Sequence, residues 1–230
     1  MRRWLVLGCV AACGGGGGGG DFLSDDHVIV DGLDATITDC RTGICQHNEN
    51  TDLTVFGGAT YLVHRTALSQ VLGPNSSLRI SRSDDHGKTW NLLAVVPALD
   101  GRDLRDPCFY VVDGKLAIKA LTRLPVSSFR DSGVDTLAYG SISPDGGQTW
   151  PALAQIGPVT WSFWRIRDDA AEHGELPSSG DTSYAGVAPI DRDRVLVTWY
   201  SSPIVFDEPW STAIFAATDI RQATIDLSRL

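Results

Sequence analysis

One eight-residue pattern occurs twice, and it constrains the fold more than any other feature of this 230-residue chain. The first copy is Ser83-Asp84-Asp85-His86-Gly87-Lys88-Thr89-Trp90. The second, Ser143-Pro144-Asp145-Gly146-Gly147-Gln148-Thr149-Trp150, begins 60 residues later. Both read S-x-D-x-G-x-T-W. Gly87 and Gly147 permit the left-handed backbone of a tight hairpin turn. Asp85 and Asp145 can fold back to accept backbone N–H bonds. Thr89 and Thr149 suit a pleated surface, while Trp90 and Trp150 open the next strand and pack over the turn. The register extends to Ser81 with Ser141, Leu93 with Leu153 and Ala94 with Ala154. A hairpin repeated at this period predicts a propeller or another array of sheets.

The remaining sequence reads as short strands separated by turn chemistry. Strands are expected at residues 61–65 and 77–81, the latter leading into the first repeat. Residues 109–112 and 116–121 form a hairpin around the favoured Asp113-Gly114 turn. Residues 134–143 lead into the second repeat, and residues 184–189 and 195–200 form a further hairpin. Strands at 213–218 and 222–227 finish the chain. Helical periodicity is absent over any useful length, so the class is all-β.

The first 20 residues read as targeting sequence. Met1-Arg2-Arg3 is a positive start, and residues 4–10 form an apolar run too short to span a bilayer. Val10-Ala11-Ala12-Cys13 resembles a bacterial lipobox, which implies lipidation of Cys13. Gly14 to Gly20 follow as a flexible tether. The expected division is a signal peptide over 1–13, a tether over 14–20 and a propeller domain over 21–230. A lipid anchor at the bacterial envelope follows from the lipobox resemblance. The net charge of −9 argues against nucleic acid, whose phosphates need a basic footprint. Any site for an anionic sugar must therefore concentrate its arginines locally. Cys40 and Cys45 flank a short loop that a disulfide would close in an oxidising compartment. Cys108 sits in an apolar strand and reads as a buried thiol. No C-x-x-C pair or histidine cluster suggests a metal, and no cofactor is expected.

The repeated pattern resembles the Asp box of sialidases and related β-propellers. In that family the boxes occupy outer turns of the blades, which implies a structural role for Asp85 and Asp145. The family has six blades, whereas residues 21–230 at 60 per repeat suffice for three to four. The resemblance covers the first blades up to Trp161-Ser162-Phe163-Trp164-Arg165 and a last blade from Gly174 onward. It implies that the middle blades are absent, with a junction near 167–173.

The sialidase resemblance also implies a chemistry. Arginines clamp a substrate carboxylate, a tyrosine activated by a glutamate is the nucleophile, and an aspartate is the general acid. The candidates are Asp106, Tyr184 and Glu175 for catalysis, with Arg65, Arg105, Arg123 and Arg165 for substrate binding. Each has a structural alternative. Arg65 can be a strand end, Arg105 and Asp106 an ion pair that holds a loop, and Tyr184 a packed strand aromatic. Trp161, Phe163 and Trp164 suit either a sugar-stacking wall or core packing. Arg105-Asp106-Pro107 also resembles a functional element of five-bladed arabinanase-like glycosidases. Some family elements are missing. Residues 55–60 lack the Arg-Ile-Pro element, and Gly73-Pro74-Asn75-Ser76-Ser77 lacks the aspartate expected before the first box. The expected function is exo-sialidase-like hydrolysis of carbohydrate, including sialylated glycans. The alternatives are a non-catalytic glycan- or protein-binding propeller and a decayed fragment.

Overall fold

A computed structural model describes residues 22–32, 36–70, 73–99, 101–124, 136–158, 182–203, 212 and 215–229. The described chain is all-β, with twelve strands in three antiparallel four-stranded sheets that form the blades of a β-propeller. Blade 1 runs in the order β2 (His47–Phe56), β3 (Ala59–Ala67), β4 (Ser77–Ser83) and β5 (Asn91–Pro97). Blade 2 repeats that meander with β6 (Asp103–Val112), β7 (Lys115–Arg123), β8 (Thr136–Ile142) and β9 (Ala154–Pro158). Blade 3 contains β10 (Thr182–Pro189), β11 (Arg194–Ser201), β12 (Asp219–Asp226) and β1 (Leu23–Val30). The outer strand of blade 3 thus comes from the beginning of the chain and is fastened antiparallel to its last strand. This pairing covers an edge that would otherwise expose unpaired backbone groups.

The innermost strands are β2, β6 and β10, and β2 lies between the other two. Alternating side chains fill the spaces between blades. Val63, Leu78 and Ile80 of blade 1 meet Leu104, Ile118 and Ala120 of blade 2. Leu53 and Leu62 of blade 1 meet Ala188 and Leu196 of blade 3. The opposite face of blade 3 buries Val195, Val197 and Trp199 with Phe22. Cys40 and Cys45 form a disulfide and are both fully buried.

The expected hairpins at 109–121 and 184–200 form, with β6 extended upstream through Arg105-Asp106-Pro107. Two expectations are corrected. The last strand begins earlier than expected, spanning Asp219–Asp226, and pairs with β11 over its full length. Residues 215–218 of the other expected closing strand form no strand, and residues 213 and 214 lie outside the described residues. Cys108 is half-buried rather than buried, because it alternates with Phe109, which takes the face packed against blade 1. The lipobox with Cys13, the glycine tether, residues 161–165, Glu175 and the expected junction lie outside the described residues.

Candidate functional site

Each innermost strand carries a β-bulge at the same place. In β2, Glu49 pairs with Arg65 and Asp52 with Val63, so Asn50 and Thr51 stand against one residue, His64. In β6 the same interruption sets Asp106 and Pro107 against Ala120. In β10 it sets Tyr184 and Ala185 against Trp199. A bulge in a strand interior suits Pro107, whose missing N–H would break a regular ladder. Asn50 and Asp106 both adopt left-handed backbone, with φ of 55° and 47°. Asn and Asp tolerate that region better than other residues with a Cβ, and such conformations concentrate at functional sites. The two side chains meet, because Asn50 Nδ2 donates to Asp106 Oδ1 at 2.9 Å.

Beneath this pair is a buried charge cluster. Arg65 is fully buried, and Asp103 Oδ1 accepts from its Nε at 3.1 Å and its Nη2 at 2.8 Å. Arg65 also donates to Glu49 and to the Ser69 carbonyl. Burial opposes the arginine's charge, but Asp103 and Glu49, with Asp106 adding a smaller attraction, raise its pKa. The second oxygen of Asp103 accepts from Arg105 Nε at 2.8 Å, so one carboxylate ties both arginines together. Arg105 donates further to the Gln70 carbonyl. Gly73 closes over the cluster, where a Cβ would lie 2.6 Å from Arg65 Nη2 and 2.9 Å from Asp103 Oδ1.

Asp52, just beyond the first bulge, joins blade 1 to blade 2. Its Oδ2 accepts the Phe109 backbone N–H at 2.7 Å. Burial pushes its pKa up to about 6, against the lowering effect of the Phe109 and Leu53 N–H groups. On the other side of β2, Gly186 of β10 approaches closely, and a Cβ there would lie 2.7 Å from the Leu53 nitrogen. Both contacts fix the separation of the innermost strands.

The two repeated turns lie far from the bulges, between the third and outer strands of blades 1 and 2. Asp85 accepts from the backbone and hydroxyl of Thr89 at 2.9 and 2.7 Å, and Asp145 accepts likewise from Thr149 at 2.8 and 2.7 Å. The Thr89 hydroxyl and N–H, with the Ser83 hydroxyl, hold the Asp85 carboxylate at about 2. Ser83 and Ser143 each accept the N–H of the turn glycine at 2.7 Å. Each turn seats against a neighbouring blade. Trp90 Nε1 donates to Gln222 Oε1 at 2.8 Å, and Gln222 Nε2 donates to the Gly87 carbonyl at 3.0 Å. Tyr61 of blade 1 donates its hydroxyl to the Gly146 carbonyl at 2.9 Å.

The structure therefore brings together Arg65, Arg105 and Asp106, and adds Asn50, Glu49 and Asp103, which sequence reasoning missed. Arg65 offers no exposed guanidinium for a substrate, since its fork is occupied by protein carboxylates and a carbonyl. Arg123 ends β7 opposite Asp103, half-buried, with its Nε lacking a hydrogen-bond partner. Tyr184 is placed by its backbone at the bulge of β10. Glu175 and Arg165 lie outside the described residues. Among the described residues no cluster of His, Cys, Asp or Glu is arranged to hold a metal ion.

No family model matches the chain, and no curated protein does. Several solved structures are similar to it. An α-L-arabinanase of Penicillium chrysogenum, complexed with arabinobiose, shares 16% identity over 89% of this chain and 52% of its own, with a TM-score of 0.42. A family 117 glycoside hydrolase of Zobellia galactanivorans shares 13% over 79% of this chain and 55% of its own, also with a TM-score of 0.42. A Hadza microbial sialidase shares 16% over 66% of this chain and 42% of its own, with a TM-score of 0.37. The chain spans about half the length of these proteins.

Proposed function

We propose that this chain is a carbohydrate-acting β-propeller whose site is the axial end defined by the bulges of β2, β6 and β10. The observation that supports this reading is the Asn50–Asp106 pair. Two polar residues in left-handed backbone are aimed at each other from neighbouring inner strands, and Tyr184 occupies the equivalent bulge of the third. Within this reading the reaction is exo-sialidase-like glycoside hydrolysis, at a bacterial envelope to which Cys13 anchors the chain. Asp106 donates a proton to the leaving oxygen, and Asn50 orients its carboxyl. Tyr184, its proton taken by Glu175, attacks the anomeric carbon as that oxygen leaves. A water deprotonated by Asp106 then cleaves the glycosyl–tyrosine bond, and Glu175 returns the proton to Tyr184. A neutral nucleophile suits a substrate that carries a carboxylate, because a carboxylate nucleophile would be repelled. Arg105, Arg123 and Arg165 supply the attraction for that anion.

A second reading, carbohydrate binding without turnover, is favoured by one observation. Arg65 is sealed among Glu49, Asp103 and the Ser69 carbonyl, which leaves one arginine fewer for the substrate. Hydrolysis of a fluorogenic sialoside by the wild-type chain and by Tyr184→Phe and Asp106→Asn separates the two. Turnover that falls by about 100-fold or more in both variants supports the enzyme. Sialoside binding without turnover supports the second reading, and neither binding nor turnover rejects both.

A further inference from the structure

Arg105 differs from Arg65 in what its neighbours leave open. The Arg65 guanidinium is wholly buried among Glu49, Asp103 and the Ser69 carbonyl. Arg105 keeps 14% of its side chain exposed and stands beside Asp106 at the β6 bulge. Its Nε donates to Asp103 Oδ2 at 2.8 Å, and its Nη2 donates to the Gln70 carbonyl. Nη1 meets no acceptor among the described residues and stays accessible to solvent. A guanidinium is planar, so two bonds along one edge fix the direction in which the third nitrogen points. Arg105 is therefore an oriented cation with one open end.

Asp103 has no freedom to follow Arg105 if the arginine swings. Its other oxygen accepts from Arg65 Nε at 3.1 Å and from Nη2 at 2.8 Å. Arg65 is in turn tied to Glu49 and to the Ser69 carbonyl. On the remaining side Gly73 closes in, where a Cβ would lie 2.9 Å from Asp103 Oδ1. One arginine would suffice to balance this carboxylate. A carboxylate that bridges two guanidinium groups also sets the placement of one relative to the other. The order Glu49, Arg65, Asp103, Arg105 thus runs from the buried interior of blade 1 to the exposed cation of blade 2.

We propose that Asp103 is a positioning residue of the axial site, and that it turns the open Nη1 end of Arg105 toward the carboxylate of an acidic sugar. The inference rests on the carbohydrate reading and adds the nitrogen that selects the ligand and the residue that aims it. Because Nε and Nη2 are already engaged along one edge, the ligand's carboxylate is held at the end of the guanidinium. Arg65 serves the site only through Asp103.

Saturation-transfer NMR titrations of the full chain with sialyllactose and with its carboxyl methyl ester test the proposal. The ester keeps the sugar and removes the charge. The wild type binds the acid about tenfold or more tightly than the ester, as loss of a charge-assisted hydrogen bond requires. Each variant is read as its own acid-to-ester ratio, which does not depend on the fraction folded. Arg105→Lys keeps the positive charge but not the planar fork, and its ratio falls to about threefold or less. Asp103→Asn removes a negative charge beside the site, so a plain counter-charge role raises the ratio. The positioning role lowers it by about threefold or more, because Arg105 loses the bond that aims it. Should Asp103→Asn fail to fold, Arg105→Lys alone decides. A ratio unchanged or raised in Asp103→Asn, or unchanged in Arg105→Lys, overturns the proposal. Equal binding of acid and ester by the wild type overturns it and leaves the carbohydrate reading intact, whereas binding of neither overturns both.

Discussion

Asn50 Nδ2 donates to Asp106 Oδ1 across 2.9 Å, joining two left-handed bulge residues on neighbouring innermost strands. The bond places an amide beside the carboxylate that the functional reading uses. It also predicts a separation of strain from bonding. Asn50→Gly removes the hydrogen bond but suits the positive φ, whereas Asn50→Ala removes the bond and keeps a Cβ there. In urea denaturation Asn50→Ala is less stable than Asn50→Gly by about 1 kcal/mol. Equal stabilities would contradict the left-handed geometry.

Asp103 accepts from both Arg65 and Arg105 while almost wholly buried. Asp103→Asn leaves two guanidinium groups without their shared counter-charge, one of them fully buried. It destabilises the chain by about 3–5 kcal/mol, the range for breaking a buried pair. Chemical denaturation checks this, and a loss below about 1 kcal/mol, typical of exposed pairs, would show that the cluster is solvated.

Gly146 and Gly147 test how the repeated turns seat between blades. Both have positive φ, at 73° and 95°. A Cβ on Gly146 meets nothing nearer than Phe56 at 3.9 Å, but on Gly147 it would lie 2.7 Å from the Tyr61 ring. Gly146→Ala therefore costs about 1 kcal/mol of backbone strain. Gly147→Ala costs that strain and a displaced aromatic as well, about 2–4 kcal/mol in all. Thermal unfolding of the two variants side by side decides it, with equal losses counting against the inter-blade contact.

What was legible in the sequence follows from this distinction between local and distant partners. The turn chemistry of Ser83, Asp85, Gly87 and Thr89 is contained within a few residues, so its repetition announced itself. The Asp113-Gly114 hairpin did the same. The steric reason for Gly87 and Gly147 was not legible, because the crowding atoms belong to Leu196 and Tyr61 in other blades. Asp106 was singled out through Arg-Asp-Pro, yet its partner Asn50 lies 56 residues away in an unremarked stretch. Asp103 was overlooked for the same reason, since only the fold brings Arg65 to it. The period-two alternation in 47–56 is broken by the bulge at Asn50, which hides β2 from a pattern search. The closure of blade 3 by β1 joins the two ends of the chain, which local patterning does not report.

Half-buried Asp52 and buried His64 give opposite pH dependences. Asp52 has a folded pKa of about 6, above its ordinary 3.8, so the folded state holds its proton more tightly. Its stabilising contribution is full below pH 3.8 and is lost as pH rises toward 6. Asp52→Asn cannot ionise, and relative to wild type it gains on the order of 1–3 kcal/mol between pH 4 and 7. His64 has a folded pKa of about 3 against an ordinary 6.5, so its contribution is present above pH 6.5 and is lost as pH falls toward 3. His64→Gln flattens that acid limb. Urea midpoints at pH 4, 5, 6 and 7 distinguish these effects, and curves parallel to wild type for both variants would refute them.

The central claim is that the axial bulges form a carbohydrate site, whether or not it turns substrate over. Saturation-transfer NMR with sialyllactose, on the wild-type chain and on Asp106→Ala, tests it most directly. The account predicts saturation of the sialyl protons by the wild type and its loss in a variant that remains folded. Equal saturation by both, or none by a folded wild type, would contradict it.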